Sequence, residues 1–299
     1  MVRRAALVSL ILGLSFLPAH AADDDWQELV AEGLGKPGVA MAGGVYRVGL
    51  PRTDLRVTVD HVELKAGFAL GSWLAFAKMG DEVMAMGDLV LLDTEINPVM
   101  NKLIESGIQV TAIHNHILRG TPNTMYMHVF GHGEPGRLGA AFHVALAQSG
   151  TPLSGTAVTP AAQPGADKID MDIAAVDQAL GHKGKVNGGV YQVSVKRADP
   201  VRDSGMEVPE AMGSAVAINF QPTGQGKAAI TGDLVLTSAE VNPVIAALRR
   251  NGIDVTALHN HMLSDEPRLF FMHFWANDDA VKLATGMRAA LDKMKLAAN

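Results

Sequence analysis

Two short clusters of histidine are the residues in this chain best suited to chemistry: His114-Asn115-His116 with His128, and His259-Asn260-His261 with His273. Side chains alternate along a β-strand, so the two histidines of each His-x-His point to one face and the asparagine to the other. If the hairpin that follows turns about residue 121, His128 falls directly across from His114, with Cβ atoms about 4.5–5.5 Å apart. His273 falls across from His259 in the same way, about Glu266. Each cluster is thus expected to gather three imidazoles with ring nitrogens within about 3–4 Å of one another. Neutral imidazoles held on a rigid sheet suit a borderline divalent ion, zinc first, and leave a position open to water, substrate or a carboxylate. Asp88 and Asp233, or Glu95 and Glu240, are the candidates for that carboxylate. If the ion activates water for hydrolysis, Glu95 or Glu240 is the candidate base. A structural role competes with each reading. His-x-His also serves as a half-buried polar ladder, and an acidic residue before an Asn-Pro helix start is commonly a cap or dipole partner.

The strands that carry these histidines belong to a duplicated segment. Residues 87–130 align without a gap on residues 232–275 at a constant offset of 145, with 22 of 44 positions identical. Unrelated segments would share about 2–3 such positions, so the chain holds one unit twice. Gly43-Gly44-Val45-Tyr46 returns as Gly188-Gly189-Val190-Tyr191 at the same offset. The expected organisation is a signal peptide over 1–22, a first unit over 23–149, a Gly/Pro/Ser/Ala-rich linker over 150–167 and a second unit over 168–299.

Within each unit the pattern predicts helix, strands, helix, hairpin, helix. Asp25 to Gly33 and Asp170 to Leu180 have helical spacing; Val45–Val48, Val190–Val195, Val83–Leu92 and Ala228–Leu236 read as strands. Asn97-Pro98 and Asn242-Pro243 supply an N-cap and a first-turn proline for helices that stop at Gly107 and Gly252. The hairpin strands are Ile108–Leu118 and Met125–Phe130. This is an α+β arrangement, a largely antiparallel sheet with helices packed on it, used in tandem. Met127 and Met272 alternate with His128 and His273, which assigns them to the opposite, core face rather than to copper. His61, His132 and His143 have no counterpart in the second unit and read as surface residues, His132 being a further ligand candidate in the first.

Composition narrows the partners. Arg3 and Arg4 precede the apolar run Ala5 to Leu17 and a small-x-small site ending at Ala21, the pattern of a secretory signal cleaved near Ala21 or Ala22. Its loss would take Lys+Arg from 25 to 23 against 31 Asp+Glu, a net charge of −8, which disfavours nucleic acid as a partner. With no cysteine there is no thiolate ligand, disulfide or lipid attachment site, and no second apolar stretch is long enough for a transmembrane anchor. A periplasmic or secreted protein is expected, with an unidentified small molecule or envelope component as partner.

The motifs Gly43-Gly44-Val45-Tyr46, Pro51-Arg52-Thr53-Asp54, Ala69-Leu70-Gly71-Ser72-Trp73, Glu95-Ile96-Asn97-Pro98 and Thr111-Ala112-Ile113-His114-Asn115-His116 resemble the LppY/LpqO family of exported bacterial proteins. Ile218-Asn219-Phe220-Gln221-Pro222, His259-Asn260-His261-Met262 and Pro267-Arg268-Leu269-Phe270-Phe271-Met272-His273-Phe274-Trp275 do so again in the second unit. The resemblance implies export and a duplicated domain, and it implies no activity. Two functional readings follow: an exported metal-binding protein, hydrolytic if the ion activates water, or a non-catalytic envelope protein that binds a glycan, lipid or protein and whose histidines are structural.

Overall fold

The computed structural model describes residues 25–154 and 169–298; the signal peptide and cleavage site expected over residues 1–22, and the expected linker from residue 155 onward, lie outside the described residues. The first unit comprises α1 (Asp25–Leu34), β1 (Val39–Met41), β2 (Val45–Pro51), β3 (Thr58–Val59), β4 (Val62–Glu63), α2 (Ala66–Ala69), β5 (Gly71–Met79), β6 (Glu82–Leu92), α3 (Asp93–Glu105), β7 (Gln109–Asn115), β8 (Thr124–Gly133) and α4 (Pro135–Leu146). The second comprises α5 (Ile173–Leu180), β9 (Lys185–Asn187), β10 (Val190–Val195), β11 (Arg202–Asp203), β12 (Met206–Glu207), β13 (Val216–Gly224), β14 (Lys227–Thr237), α6 (Ser238–Arg250), β15 (Asp254–His259), β16 (Asp265–Glu266), β17 (Leu269–Asp279) and α7 (Ala280–Leu291). The six-stranded sheets run β1-β2-β5-β6-β8-β7 and β9-β10-β13-β14-β17-β15, the same order twice, and every pairing is antiparallel. The α+β duplication read from the sequence is therefore a structural one.

Two local differences have physical causes. The helices α3 and α6 begin at Asp93 and Ser238, not at the Asn-Pro pairs, so Pro98 and Pro243 lie inside them. Glu95 and Glu240 set the earlier start, because their side chains accept the N–H groups of Leu92 and Thr237 at 2.8 and 2.7 Å. Strands β1 and β5, with β9 and β13 in the second unit, are not singled out by the sequence pattern and complete the sheets.

One face of the first sheet packs on α1, α3 and α4, with Val48, Leu74, Leu89, Met127 and Val129 meeting Val30, Leu103 and Phe142. The opposite face is covered by the other unit. A segment of the second unit carrying β11, β12 and Met212 brings Val201, Val208 and Met212 into one buried cluster with Val45, Ala75, Met84, Met86 and Phe130. In exchange, the segment holding β3, β4 and α2 brings Val57, Leu64, Phe68 and Leu70 against Val190, Ala229 and Trp275 of the second sheet. The crossings are hydrogen-bonded: Gln221 accepts from the Lys65 N–H and donates to the Glu63 carbonyl, both at 2.8 Å, and the Arg47 guanidinium donates to the Ala211 carbonyl. The units are therefore not two independently closed domains on a linker, since each sheet borrows half its covering.

Either half expressed alone would leave that apolar face in water, a loss of about 25 cal/mol per Å². Residues 25–154 or 169–298 alone are expected to be unfolded or aggregated by circular dichroism and gel filtration, and the two co-expressed to assemble. A monomeric, cooperatively folded half would refute the borrowed-core description.

Candidate metal centre

The face that the units turn toward each other is also the histidine face. On β8, Met127 and Val129 point to the helices, so His128 points the other way; Asp88 on β6 sits beside it in register. His273 and Asp233 repeat the arrangement on β17 and β14. The register differs from expectation: His128 pairs with Ala112 and His114 with Tyr126, because the hairpin is centred on residue 120 rather than 121; β7 also carries a bulge between Val110 and Ala112, on the far side of these pairs from the turn. Strand β15 has the same bulge between Val255 and Ala257. A displacement of two residues keeps the same face, so His114 and His128 still meet, diagonally. Gly232 explains why glycine precedes the aspartate: a Cβ there would lie 2.0 Å from the Ala217 carbonyl oxygen of the neighbouring strand.

The two clusters, expected as separate sites, form one. His114 stacks on His259 with ring centroids 3.5 Å apart and planes 12° from parallel. His116 stacks on His273 at 3.6 Å and 20°, and His128 on His261 at 3.8 Å and 28°. Each contact is matched under exchange of the units, so six imidazoles lie in two layers about a pseudo-two-fold axis. The asparagines fasten this junction. Asn115 Nδ2 donates to the Thr256 carbonyl at 2.7 Å and Asn260 Nδ2 to the Thr111 carbonyl at 2.9 Å, while the Thr256 and Thr111 hydroxyls donate to the carbonyls of His116 and His261. That role for the middle residue of His-Asn-His was invisible without the second unit's position.

Within each layer, two nitrogens face each other. His114 Nε2 lies 3.0 Å from His128 Nε2, and His259 Nε2 lies 2.8 Å from His273 Nε2. The other nitrogens are committed to carbonyls: His114 Nδ1 to Asn115 at 2.8 Å, His259 Nδ1 to Asn260 at 3.1 Å, His273 Nδ1 to Gly232 at 2.7 Å, and the His128 ring to Gly87. A carbonyl only accepts, so each Nδ1 must carry the proton and each Nε2 of a neutral ring is bare. Two lone pairs then oppose each other at 2.8–3.0 Å. Either a proton or a cation must lie between them. Burial works against the proton: it pushes His114 down to about 4, and burial followed by the neighbouring His114 pushes His259 down to about 3. His128 and His273 are held well below the ordinary range by burial, then by adjacent imidazoles. Imidazoles fixed as Nδ1–H tautomers by carbonyls are the usual outer support of metal-ligating histidine.

The carboxylates at the centre are Asp88 and Asp233. Among the described residues, three sets of donor atoms lie within 4.8 Å of one another: Asp88, His114 and His128; His114, His259 and His273; and His128, His259 and His261. Asp233 Oδ2 is 3.0 Å from His261 Nε2, yet His261 Nε2, Asp233 Oδ1, Asp88 Oδ1 and His116 Nδ1 are buried without a hydrogen-bond partner. Burial raises Asp88 to about 7 against the pull of Arg47, and raises Asp233 well above the carboxylate range, with Asp88 adding to it. Arg47 lies 4.0 Å over the Trp73 ring; the corresponding position in the second unit is Gln192.

His116 is the expected ligand placed least as foreseen. It belongs to none of the three sets and stacks across the junction. Glu95 and Glu240 are not at the centre. Glu95 accepts from both Arg52 Nη atoms, at 2.7 and 3.1 Å, and from the Gly150 N–H; Glu240 is held likewise by Arg197 and the Lys295 N–H. Burial would raise both carboxyls, but these donors outweigh it and keep them below the ordinary range, which unsuits them as bases. The Arg52 and Arg197 partners were not anticipated, although Arg recurs at the 145-residue offset. His132 is an exposed residue 3.3 Å from Glu82, and Met127 and Met272 are buried in the apolar core.

The depressed histidines make the metal-free protein acid-sensitive. Below about 6.5 the unfolded chain takes up protons that the folded imidazoles refuse, so stability falls as pH drops toward 4, by up to about 1.4 kcal/mol per pH unit for each such ring. Asp88 acts oppositely: its raised folded value contributes stability at low pH that is lost as pH rises through about 7. Six rings outweigh two carboxyls, so the urea midpoint of stripped protein is expected to drop steeply between pH 6.5 and 4. A flat profile over that range would contradict the buried, neutral cluster.

These features define a tandem-duplicated α+β protein with a closed, histidine-rich centre on the axis between its units. The chain belongs to the family described as Domain of Unknown Function (DUF1259), whose model matches residues 28–148 and again residues 174–293. No curated protein matches it. Among solved structures it is similar to EtuB from Clostridium kluyveri, with 10% identity over 85% of this chain and 90% of that one and a TM-score of 0.20. It is similar also to the trimeric bacterial microcompartment shell protein PduB, with 12% identity over 87% and 95% and a TM-score of 0.20. Scores this low carry neither fold nor function across.

Proposed function

We propose that this chain is an exported metal-binding protein whose centre ties its two units together, the ligands drawn from His114, His116, His128, His259, His261, His273, Asp88 and Asp233. The observation that carries the reading is the opposed Nε2 lone pairs, each fixed by a carbonyl at the other ring nitrogen. Imidazole with carboxylate selects a borderline transition ion, zinc foremost, over magnesium or calcium. Burial of His128 and His273 to 3% and 2% exposure favours a binding or structural centre, since catalytic zinc keeps an open position. With Glu95 and Glu240 engaged by arginines, hydrolysis is not part of the proposal. The rival, an envelope protein with purely structural histidines, leaves the opposed lone pairs unexplained.

Export is supported by the Arg3-Arg4 and Ala5 to Leu17 pattern, and by the resemblance to the LppY/LpqO family. Among the described residues no helix is long and apolar enough to cross a membrane. Elemental analysis of untagged protein, purified without chelator and then dialysed against zinc, tests the reading. Zinc or another transition metal at one or more per chain is expected; a chain that stays free of metal would overturn it.

A further inference from the structure

We infer that the centre is dinuclear, with one ion in each imidazole layer: the first held by His114 and His128 with Asp88, the second by His259 and His273 with Asp233. The inference rests on the metal-binding reading above and adds the number and grouping of the ions.

An imidazole lone pair lies in the plane of its ring, so an ion about 2.0–2.1 Å from nitrogen lies near that plane. His114 and His128 satisfy this together, because their planes differ by only 6° and their Nε2 atoms face at 3.0 Å. Two ligands of one tetrahedral ion sit about 3.3 Å apart, so the pair admits it by opening a few tenths of an ångström and swinging in plane until the lone pairs converge. His259 and His273 face at 2.8 Å with planes 28° apart.

His114 lies flat on His259, 3.5 Å away and 12° from parallel. Two planes so disposed do not meet within coordination distance, so one ion cannot satisfy both rings, nor both facing pairs. The stacks of His116 on His273 and of His128 on His261 divide the remaining rings between the layers by the same rule.

Every imidazole has a counterpart under exchange of the units, while the carboxylates sit unequally: Asp88 is within reach of His114 and His128, whereas Asp233 Oδ2 lies 3.0 Å from His261 Nε2 and its Oδ1 3.9 Å from His273 Nδ1, so Asp233 has to turn toward the second pair to join its ion. Two buried carboxylates balance one divalent ion or half the charge of two.

The test uses the untagged chain. After stripping with a chelator, it is dialysed to equilibrium against zinc and, separately, copper(II), and metal is counted per folded chain. Two ions per chain are expected. The copper form should give an electron paramagnetic resonance spectrum broadened by dipolar coupling, with a half-field transition, because the ions lie in layers under 4 Å apart. The double variant His259→Ala, His273→Ala should bind one copper and show a sharp mononuclear signal. One ion in the wild-type chain would overturn the inference and leave metal binding intact; no ion would overturn both. Two ions with uncoupled signals would place them apart and also overturn it. The wild-type count and spectrum decide the matter even if the variant does not fold.

Discussion

Replacing Arg197 with methionine is expected to destabilise the protein by about 3–5 kcal/mol, a large share of the ~5–15 kcal/mol that holds a typical fold. The guanidinium is 2% exposed and donates to the Val235 carbonyl at 2.6 Å and to both Glu240 oxygens at 2.8 and 3.2 Å. Methionine fills similar space but strands Glu240, which keeps only the N–H groups of Thr237 and Lys295. A carboxylate left in that position bears its desolvation without a counter-charge. Lysine rescues poorly, because a single ammonium cannot reproduce the two-pronged contact. The sign of a double variant separates this cause from general disruption: Arg197→Met, Glu240→Leu should lose less than Arg197→Met alone, since both charges leave together. Equal or greater loss in urea denaturation would refute the account. Arg52→Met should behave alike, with Asp54 also released.

Saturating zinc is expected to stabilise the stripped protein by about 4 kcal/mol when free metal exceeds its dissociation constant a thousandfold. In a protein of this size that corresponds to a rise in Tm of about 8–16 °C. The ligands come from both units, so the gain should appear as resistance of the whole chain to unfolding rather than of one half. His114→Ala together with His128→Ala should lower it and leave the share due to the ion at His259 and His273, whereas His132→Ala, at the exposed Glu82 contact, should leave it unchanged. Zinc that leaves the wild-type Tm unmoved would contradict binding to the folded state.

Much of the fold is legible because its signals are local. Helical spacing fixes α1 within a residue, β10 falls on Val190–Val195 as read, and the 145-residue offset predicts the repeated strand order. The alternation around His114 and His128 also assigns them the right face, and sets Met127 in the core. What escaped depends on contacts distant in sequence. The hairpin turns about residue 120 rather than 121, which displaces the register by two, and no residue there announces it. The pairing of two triads into one cluster depends on how the units dock, and docking is set by dispersed apolar residues such as Val57, Phe68, Val208 and Met212. Asn115 looked idle on the far face because its acceptor, the Thr256 carbonyl, is 141 positions away. Glu95 and Glu240 resembled bases because acid-rich helix starts look alike whether they cap, pair or catalyse; only Arg52 and Arg197 decide it.

X-ray absorption at the zinc edge tests the central claim most directly. For protein dialysed against zinc, the account predicts a first shell of nitrogen and oxygen at about 2.0–2.1 Å and the outer-shell scattering of at least two imidazoles per ion. It further predicts loss of that imidazole signature in His114→Ala, His128→Ala, His259→Ala, His273→Ala protein. A shell of oxygen alone, or an imidazole signature that survives those substitutions in folded protein, would contradict it.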